Sequence, residues 1–202
     1  MNKGIIRDTV ILFIITLIAG ICLGGVHEIT AEPIRQAKIA AATATYQEVF
    51  PEAASFEDVA DAEERIANAA ADISAQSFGN VSVNDVKIAK DASGNDIGYL
   101  VMATSKDGYK GDIQVAVGVD NDSNITNIGF LSIDETPGLG MKAKDPEFKG
   151  QFTGKAAEKL NVVKTNPTKD DQILAISGAT YSSNATTGAV NAAVYFAENC
   201  MK

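Results

Sequence analysis

The chain has 202 residues, of which 46% are hydrophobic and 21% are charged, and its formal net charge at neutral pH is −9. This length holds one ordinary domain with an appendage. The excess of Asp and Glu argues against nucleic acid as a partner, because such a surface repels phosphate. A single histidine, His27, argues against a His-cluster metal site and a Ser-His-Asp triad, and two cysteines are too few for a disulfide framework or a zinc site. We therefore expect no metal site and no catalytic residue of these kinds.

The first predicted element is a membrane anchor over residues 1–30. Its centre, Val10–Val26, contains no charged side chain, and about 20 such residues cross a bilayer. A cleaved signal peptide is disfavoured because Ile29-Thr30-Ala31 is a poor cleavage site. A lipoprotein is disfavoured because a bulky isoleucine precedes Cys22. An uncleaved anchor is the favoured interpretation.

The charges that flank the apolar run predict its orientation. Lys3 and Arg7 lie close before the run, whereas Arg35 and Lys38 lie further away behind it. Because positive charge collects on the cytoplasmic side of a membrane span, we expect a single-pass cell-membrane protein. Its N-terminus is expected to be cytoplasmic and its body extracytoplasmic.

A connector over residues 31–80 is predicted next. Ile34–Phe50 has apolar side chains at helical spacing and is followed by Pro51, which predicts a stalk helix that continues from the membrane. Phe56–Ala75 is rich in Ala, Glu and Asp but has few large apolar residues. We therefore expect one or two exposed helical turns or a mobile segment there.

From residue 81 onward the sequence predicts an α+β domain, residues 81–202. Apolar side chains alternate in four stretches that are separated by short Gly, Asn and Asp turns, which is typical of an antiparallel meander. Two later stretches have helical spacing. The predicted strands are Val81–Ile88, Ile97–Ser105, Asp112–Val119 and Ile125–Ile133, and the predicted helices are Phe148–Leu160 and Thr186–Glu198. We expect a twisted, mainly antiparallel sheet packed by helices.

Ser177–Ser183 (SGATYSS) is the most unusual segment of this domain. It follows a short apolar strand and precedes a helix. Its Gly and Ala allow close approach of a ligand to the backbone, and its hydroxyls can bind phosphate oxygens. A helix N-terminus adds N–H donors and a favourable dipole. The alternative is an ordinary strand–turn–helix corner with a serine cap.

Two further loops are candidates for a binding site. Asp134–Gly140 (DETPGLG) contains a tight Pro-Gly turn, and Gly108–Asp112 (GYKGD) is a hairpin turn that presents a tyrosine. Each is equally consistent with an ordinary loop. Neither loop, nor Ser177–Ser183, contains a nucleophile–base pair or paired carboxylates arranged for acid–base catalysis.

Taken together, these motifs point to a known family. The order GYKGDI, VGVD, ETPGLG, QFTGK and SGATYSS resembles the FMN-binding domain of the G subunit of Rnf-type electron transport complexes. The related C subunit of sodium-translocating NADH:quinone oxidoreductases shares this order. The N-terminal span and Val49-Phe50-Pro51 extend the resemblance to nearly the whole chain except Phe56–Ala75.

The resemblance implies a covalently bound FMN, attached through its phosphate to the hydroxyl of Thr180. A separate FAD-dependent flavin transferase with Mg²⁺ would install it after export. In the family an aspartate often lies six residues before the modified threonine, and Leu174 occupies that position here. This departure concerns how the transferase recognises the site.

Further roles follow from the same resemblance. The loop around the phosphate comprises Ser177, Gly178, Ala179 and Ser182. Residues expected near the flavin ring or its ribityl chain are Glu135, Thr136, Gly138 and Leu139. Tyr109 and Lys142 are further candidates, for which an ordinary surface side chain is the alternative.

The resemblance implies a membrane-anchored flavoprotein that relays electrons within a larger assembly. Its complex would be an Rnf-type ferredoxin:NAD⁺ oxidoreductase coupled to translocation of Na⁺ or H⁺, with other membrane, Fe–S and flavin subunits as partners. One alternative is the C subunit of a sodium-translocating NADH:quinone oxidoreductase. Another is a non-enzymatic anchored surface module of the pilin kind. A pilin start requires an early glutamate in the apolar helix, and Val10–Val26 has none.

Overall fold

The computed structural model describes residues 3–201. The helices are α1 (Lys3–Val49), α2 (Ala62–Ala75), α3 (Pro146–Lys149) and α4 (Thr180–Cys200), with a 3₁₀ helix at Gly140–Lys144. The strands are β1 (Ser55–Asp58), β2 (Val81–Lys90), β3 (Asp96–Ser105), β4 (Ile113–Asp120), β5 (Ile125–Ile133), β6 (Asn161–Val163) and β7 (Gln172–Leu174).

Helix α1 is one continuous helix of 47 residues, which confirms that the predicted stalk continues from the apolar run. Within the described residues it is the one helix long and apolar enough to cross a membrane. By its contacts the chain divides into one unit that ends at Ala42 and a second that begins at Thr43. The last turns of α1 therefore belong to the globular unit.

The globular unit is built on a five-stranded antiparallel sheet in the order β1-β2-β3-β4-β5. This confirms the predicted α+β class and the meander, and β5 has the predicted bounds. The separate strands β6 and β7 form a parallel pair. Sequential antiparallel pairing follows from the short polar turns between alternating apolar strands.

Each face of this sheet is covered by a helix. On β3, Val101 and Ala103 belong to the large core that includes α4, whereas the alternate residues Leu100 and Met102 pack with Val49 of α1. Successive side chains of a strand point to opposite faces, so both faces of β3 are buried. The sheet thus lies between α4 and the last turns of α1.

The prediction for Phe56–Ala75 is wrong. The segment forms strand β1 and the 14-residue helix α2, whose Ala69 and Ile73 are buried. Ile66 packs against the same core. Ala69, Ile73 and Ile66 stand at helical spacing, and this apolar face packs against the core beside β2 and α4.

The helix predicted over Phe148–Leu160 is also wrong. It ends at Lys149, and a loop follows. Gly154 has a φ of +74°, which a helix cannot accommodate. Ile125 donates its N–H to the carbonyl of Lys155, and Gly154 donates to the carbonyl of Ile125. This pairing with the start of β5 replaces the helical hydrogen bonds.

Candidate functional site

Three loops meet at one end of the sheet. They are the β3–β4 loop, the loop that follows β5, and the segment that leads into α4. Together they enclose a cleft of about 360 Å³ lined by Tyr109, Glu135, Thr136, Leu139, Gly140, Gly178, Ala179, Thr180, Tyr181 and Ser182. The cleft therefore unites the three segments that the sequence singled out.

The cleft contains the beginning of helix α4. Thr180 is the first residue of this helix, six residues before the predicted start at Thr186. The segment is a strand–turn–helix corner, but the N-cap position is Ala179 and no side-chain cap bond is made among the described residues, so the expected serine cap is wrong. Ser183 instead accepts a hydrogen bond from the Ile176 N–H and donates one to the Ala179 carbonyl, each at 2.9 Å. The absence of a side-chain cap leaves the positive end of the helix dipole available to an anion.

Glu135 links two of the loops from a buried position. It is 2% exposed, and its Oε1 accepts the N–H of Tyr109 at 2.7 Å. Its Oε2 is buried without a hydrogen-bond partner among the described residues. A buried carboxylate oxygen without a donor is costly. This atom is thus able to accept a hydrogen bond from a ligand in the cleft.

Glycines keep the loops in close contact. A Cβ at Gly140 would collide with the hydroxyl of Ser182 and would lie 2.6 Å from Glu135 Oε2. Gly178 has a φ of +78° and lies directly against Leu139. Gly178 needs the positive φ that glycine adopts without strain, and Gly140 has no room for a side chain. The loop after β5 and the first turn of α4 therefore form one continuous wall.

The rim of the cleft is apolar and exposed. Tyr109 is 72% exposed, Tyr181 69% and Leu139 43%. Among the described residues from Thr43 onward, these three are the exposed large apolar side chains. They offer flat contact area to a planar ring.

Most of the predicted site residues lie together, and a few do not. Ser177 and Gly138 do not line the Thr180 cleft. Ser177 and Lys142 line a different, neighbouring cleft of about 470 Å³. Gly140 and Tyr181 line the Thr180 cleft and were not assigned a role, although both stand within the quoted motifs.

Leu174, at the position where the family often has aspartate, ends the short strand β7. Its N–H donates to Gln151 Oε1 at 2.7 Å, and its carbonyl accepts from Gln151 Nε2 at 3.3 Å. A glutamine side chain thus satisfies this backbone position just before the SGAT segment. Leu174 itself contributes to the neighbouring cleft.

These groups define the chemistry that the cleft can perform. It offers the hydroxyls of Thr180 and Ser182, one buried carboxylate and apolar side chains around them. No cluster of His, Cys, Asp and Glu able to hold a metal occurs in residues 3–201. The arrangement suits a ligand with a phosphate at the helix end and a planar ring against the rim.

Comparison with known proteins identifies relatives of the chain. A family model described as an FMN-binding domain matches residues 108–195. The chain is 36% identical over 203 residues to the G subunit of the Na⁺-translocating ferredoxin:NAD⁺ oxidoreductase complex of Acetobacterium woodii, covering 99% of this chain and 95% of that protein. It is 33% identical over 195 residues to the G subunit of the ion-translocating oxidoreductase complex of Methanosarcina acetivorans, covering 96% and 94%.

Two solved structures are also similar. NqrC of Shewanella oneidensis matches with a TM-score of 0.45 and 24% identity, covering 52% of each chain. The C subunit of the Na⁺-translocating NADH-quinone reductase of Parabacteroides distasonis matches with a TM-score of 0.41 and 22% identity, covering 56% of this chain and 76% of that one.

Proposed function

Because the chain belongs to the G-subunit family of ion-translocating oxidoreductase complexes, we propose that it carries electrons through an FMN held at Thr180. It is a membrane-anchored flavoprotein subunit of such a complex, and it acts as an electron-transfer subunit rather than as a complete enzyme. The FMN-binding match at 108–195 includes every residue that lines the Thr180 cleft. The observation that carries the proposal is the convergence of three family motifs on this one cleft.

The residues present fit the flavin. The N-terminus of α4 has no side-chain cap, which suits a phosphate. Glu135 Oε2 lacks a donor, which the hydroxyls of a ribityl chain can supply. The exposed side chains of Tyr109, Leu139 and Tyr181 provide flat apolar contact for the ring.

We propose that the FMN is bound covalently at Thr180. Thr180 is half-buried at the first position of α4, where its hydroxyl lies in the cleft. An FAD-dependent transferase with Mg²⁺ would form the bond from Thr180 Oγ1 to the FMN phosphorus, while the bond to AMP breaks and AMP leaves. The hydroxyl proton is released to solvent. A phosphoester tether leaves the ring's conjugation intact, so the protein tunes its potential through contacts and solvation.

The neighbouring residues are assigned by their positions. Ser177, Gly178, Ala179 and Ser182 surround the phosphate, and Glu135, Thr136, Gly138 and Leu139 serve the ring and the ribityl chain. All of these residues line the cleft except Ser177 and Gly138, which adjoin lining residues in the chain. When bound, FMN supplies the electron-accepting centre that the amino-acid side chains lack.

The partners and the orientation complete the proposal. The globular unit is extracytoplasmic, where the transferase acts, and α1 anchors it beside the membrane, Fe–S and flavin subunits of the complex. Relatives that match over nearly their whole length are named as G subunits of ion-translocating complexes. These names favour the ferredoxin:NAD⁺ complex over the quinone reductase. The translocated ion is Na⁺ or H⁺, since named relatives include both Na⁺- and proton-translocating complexes.

Covalent attachment is tested by co-expressing the full chain with a flavin transferase and viewing a denaturing gel under ultraviolet light. The unchanged chain is expected to give a fluorescent band, and Thr180→Val is expected to give none. Thr165→Val removes the hydroxyl of an exposed threonine outside the cleft and should remain bright. A dark band from the unchanged chain, or a bright one from Thr180→Val, contradicts attachment at Thr180.

A further inference from the structure

A second, larger groove adjoins the Thr180 cleft. It has a volume of about 730 Å³ and shares two wall residues, Tyr109 and Tyr181, with that cleft. Its other walls come from Asp107 and Gly108 of the β3–β4 loop, the segment before β2, the segment that leads into β6, and helix α4. The two tyrosines are the boundary between the two spaces, and both are largely exposed.

Helix α4 connects the attachment point with this groove. Asn184 and Thr187 line the groove and stand four and seven residues after Thr180. These spacings place all three residues on the same side of a helix. Seven residues rise about 10 Å along the helix axis. A group tethered at Thr180 by a flexible chain of several bonds can therefore reach the groove without leaving this side of α4.

The groove walls suit a planar aromatic ring with a polar edge. Phe78 forms an aromatic wall and is supported edge-on by Tyr195, with ring centroids 6.1 Å apart. The Lys159 ammonium lies 5.6 Å from the Phe78 ring centroid. The exposed side chains of Asn161 and Asn184 line the same space. Asn161 Nδ2 already donates to Asp171 Oδ2 at 2.9 Å, so Asn161 offers its amide oxygen as an acceptor, whereas the Asn184 amide can donate or accept. Aromatic walls with a few polar groups at the edges are typical of cofactor sites.

An unsatisfied hydroxyl in the wall is a second indication of a ligand. Thr187 is 2% exposed, and its Oγ1 has no hydrogen-bond partner within residues 3–201. With Glu135 Oε2 it is one of two such buried side-chain oxygens in the described chain. Thr187 lines the groove, and Glu135 lines the Thr180 cleft. An unsatisfied buried hydroxyl destabilises the fold unless a ligand or water supplies a partner.

We propose that this groove is a second binding site for the flavin ring tethered at Thr180. The ring then exchanges between the Thr180 cleft and the groove by passing the two tyrosines. Asn161 and Asn184 receive its polar edge, and the Phe78 ring, with the Lys159 ammonium over it, forms the wall beside the flavin ring. This inference rests on the proposed function, because it requires a flavin attached to Thr180.

The test uses tryptophan as a contact quencher of flavin fluorescence, since the chain contains no tryptophan of its own. Lys159→Trp places the indole in the groove, outside the Thr180 cleft. Lys169→Trp is the matched control, because it replaces another exposed lysine that lines neither space. In the flavinylated full chain in detergent, we expect emission at least threefold lower for Lys159→Trp than for Lys169→Trp.

Equal emission from the two variants, at equal flavin content, overturns the second site. The flavin content is read from absorbance, and thermal melting confirms that both variants are folded. If neither variant nor the unchanged chain carries flavin on a denaturing gel, the proposed function fails instead. A chain that carries flavin but shows no selective quenching rejects only the second site.

As a separate readout, Thr180→Val is titrated with riboflavin, which has no phosphate and no tether. We expect riboflavin emission to be quenched more strongly by Thr180→Val/Lys159→Trp than by Thr180→Val/Lys169→Trp. The reverse order, or no difference, contradicts a flavin-ring site in the groove.

Discussion

The two ends of the five-stranded sheet both carry short loops, and they differ in how many polar groups of those loops have hydrogen-bond partners. At one end lie the β2–β3 and β4–β5 turns. Asp91 Oδ1 accepts the N–H groups of Ser93 and Asn95, and Asp120 Oδ1 accepts that of Asn124 at 2.8 Å. Asn121 Nδ2 donates to the Asp96 carbonyl and joins the two turns. The aspartate side chains of these turns thus accept hydrogen bonds from backbone N–H groups of their own loops.

The opposite end leaves groups unsatisfied. Within residues 3–201, Glu135 Oε2 is buried without a donor, and α4 begins without a side-chain cap. The exposed large apolar side chains of the described globular unit lie here too. Loop length alone therefore does not distinguish a structural turn from a binding loop. Unmet hydrogen-bonding capacity and exposed apolar side chains make that distinction.

The largest expected effect comes from pushing the loops of the binding end apart. Gly140→Ala places a methyl group against the Ser182 hydroxyl and 2.6 Å from Glu135 Oε2. We expect a loss of about 1–3 kcal/mol in the free energy of unfolding, together with weaker flavin attachment. Urea denaturation and the fluorescent band measure the two effects.

Gly111→Ala is the control for this substitution. Gly111 lies in the β3–β4 loop, and a Cβ there would have nothing within 4 Å. Its free energy of unfolding should change by no more than about 0.5 kcal/mol. Equal losses from the two alanines would show that the wall between the loop and α4 is not tightly packed.

A smaller effect is expected from neutralising the buried carboxylate. Glu135→Gln retains an acceptor for the Tyr109 N–H but removes the negative charge. A buried negative charge disfavours the addition of electrons nearby. The midpoint potential of the attached flavin should therefore rise by about 30 mV, which corresponds to about 1.4 kcal/mol for a two-electron couple.

Asp134→Asn makes the same change of charge one residue away. The Asp134 side chain is 88% exposed, so water screens its charge. Spectroelectrochemistry should show a much smaller shift for this variant than for Glu135→Gln. A shift of equal size in both would mean that burial of Glu135 does not set the potential.

Much of the fold could be predicted because it depends on local patterns. Alternation and polar turns identify β2–β5, and β5 has its predicted bounds. Helix α2 could not be predicted in the same way, because its stability depends on a tertiary groove that accepts Ala69 and Ile73. The false helix after Phe148 has the same cause, since its backbone pairs with the distant Ile125.

The candidate site, like the fold, could be predicted only where it depends on local sequence. The motifs indicate which loops carry it, and the structure brings those loops to one cleft. Sequence could not show that Lys142 lines the neighbouring cleft and not the Thr180 cleft. Nor could it show that one oxygen of Glu135 is bound and the other free, because both depend on how three distant segments pack.

The smallest expected effect concerns the satisfied end of the sheet and its dependence on pH. Hydrogen bonds from the Asn95 side chain and backbone hold the pKa of the Asp91 carboxyl below its ordinary value. A group whose pKa is lowered by folding stabilises the fold above its unfolded pKa, about 3.9, and loses this contribution as pH falls through the folded pKa. Asparagine does not titrate. Asp91→Asn should therefore be less stable than the unchanged chain at pH 7, with the difference shrinking below about pH 4.

The donor side of this interaction provides the control. Asn95→Ala removes the side-chain donor that is the largest cause of the lowered pKa, which should move the Asp91 pKa back toward its ordinary value. The stability advantage of Asp91 over asparagine should then be smaller at neutral pH than it is with Asn95 present. Neither substitution should alter flavin attachment, because both lie at the end of the sheet opposite Thr180. A change in the fluorescent band caused by either substitution would show that the two ends of the sheet are coupled through the strands. Urea unfolding at about pH 7 and at about pH 3.5 measures the local titration of Asp91 separately from such coupling.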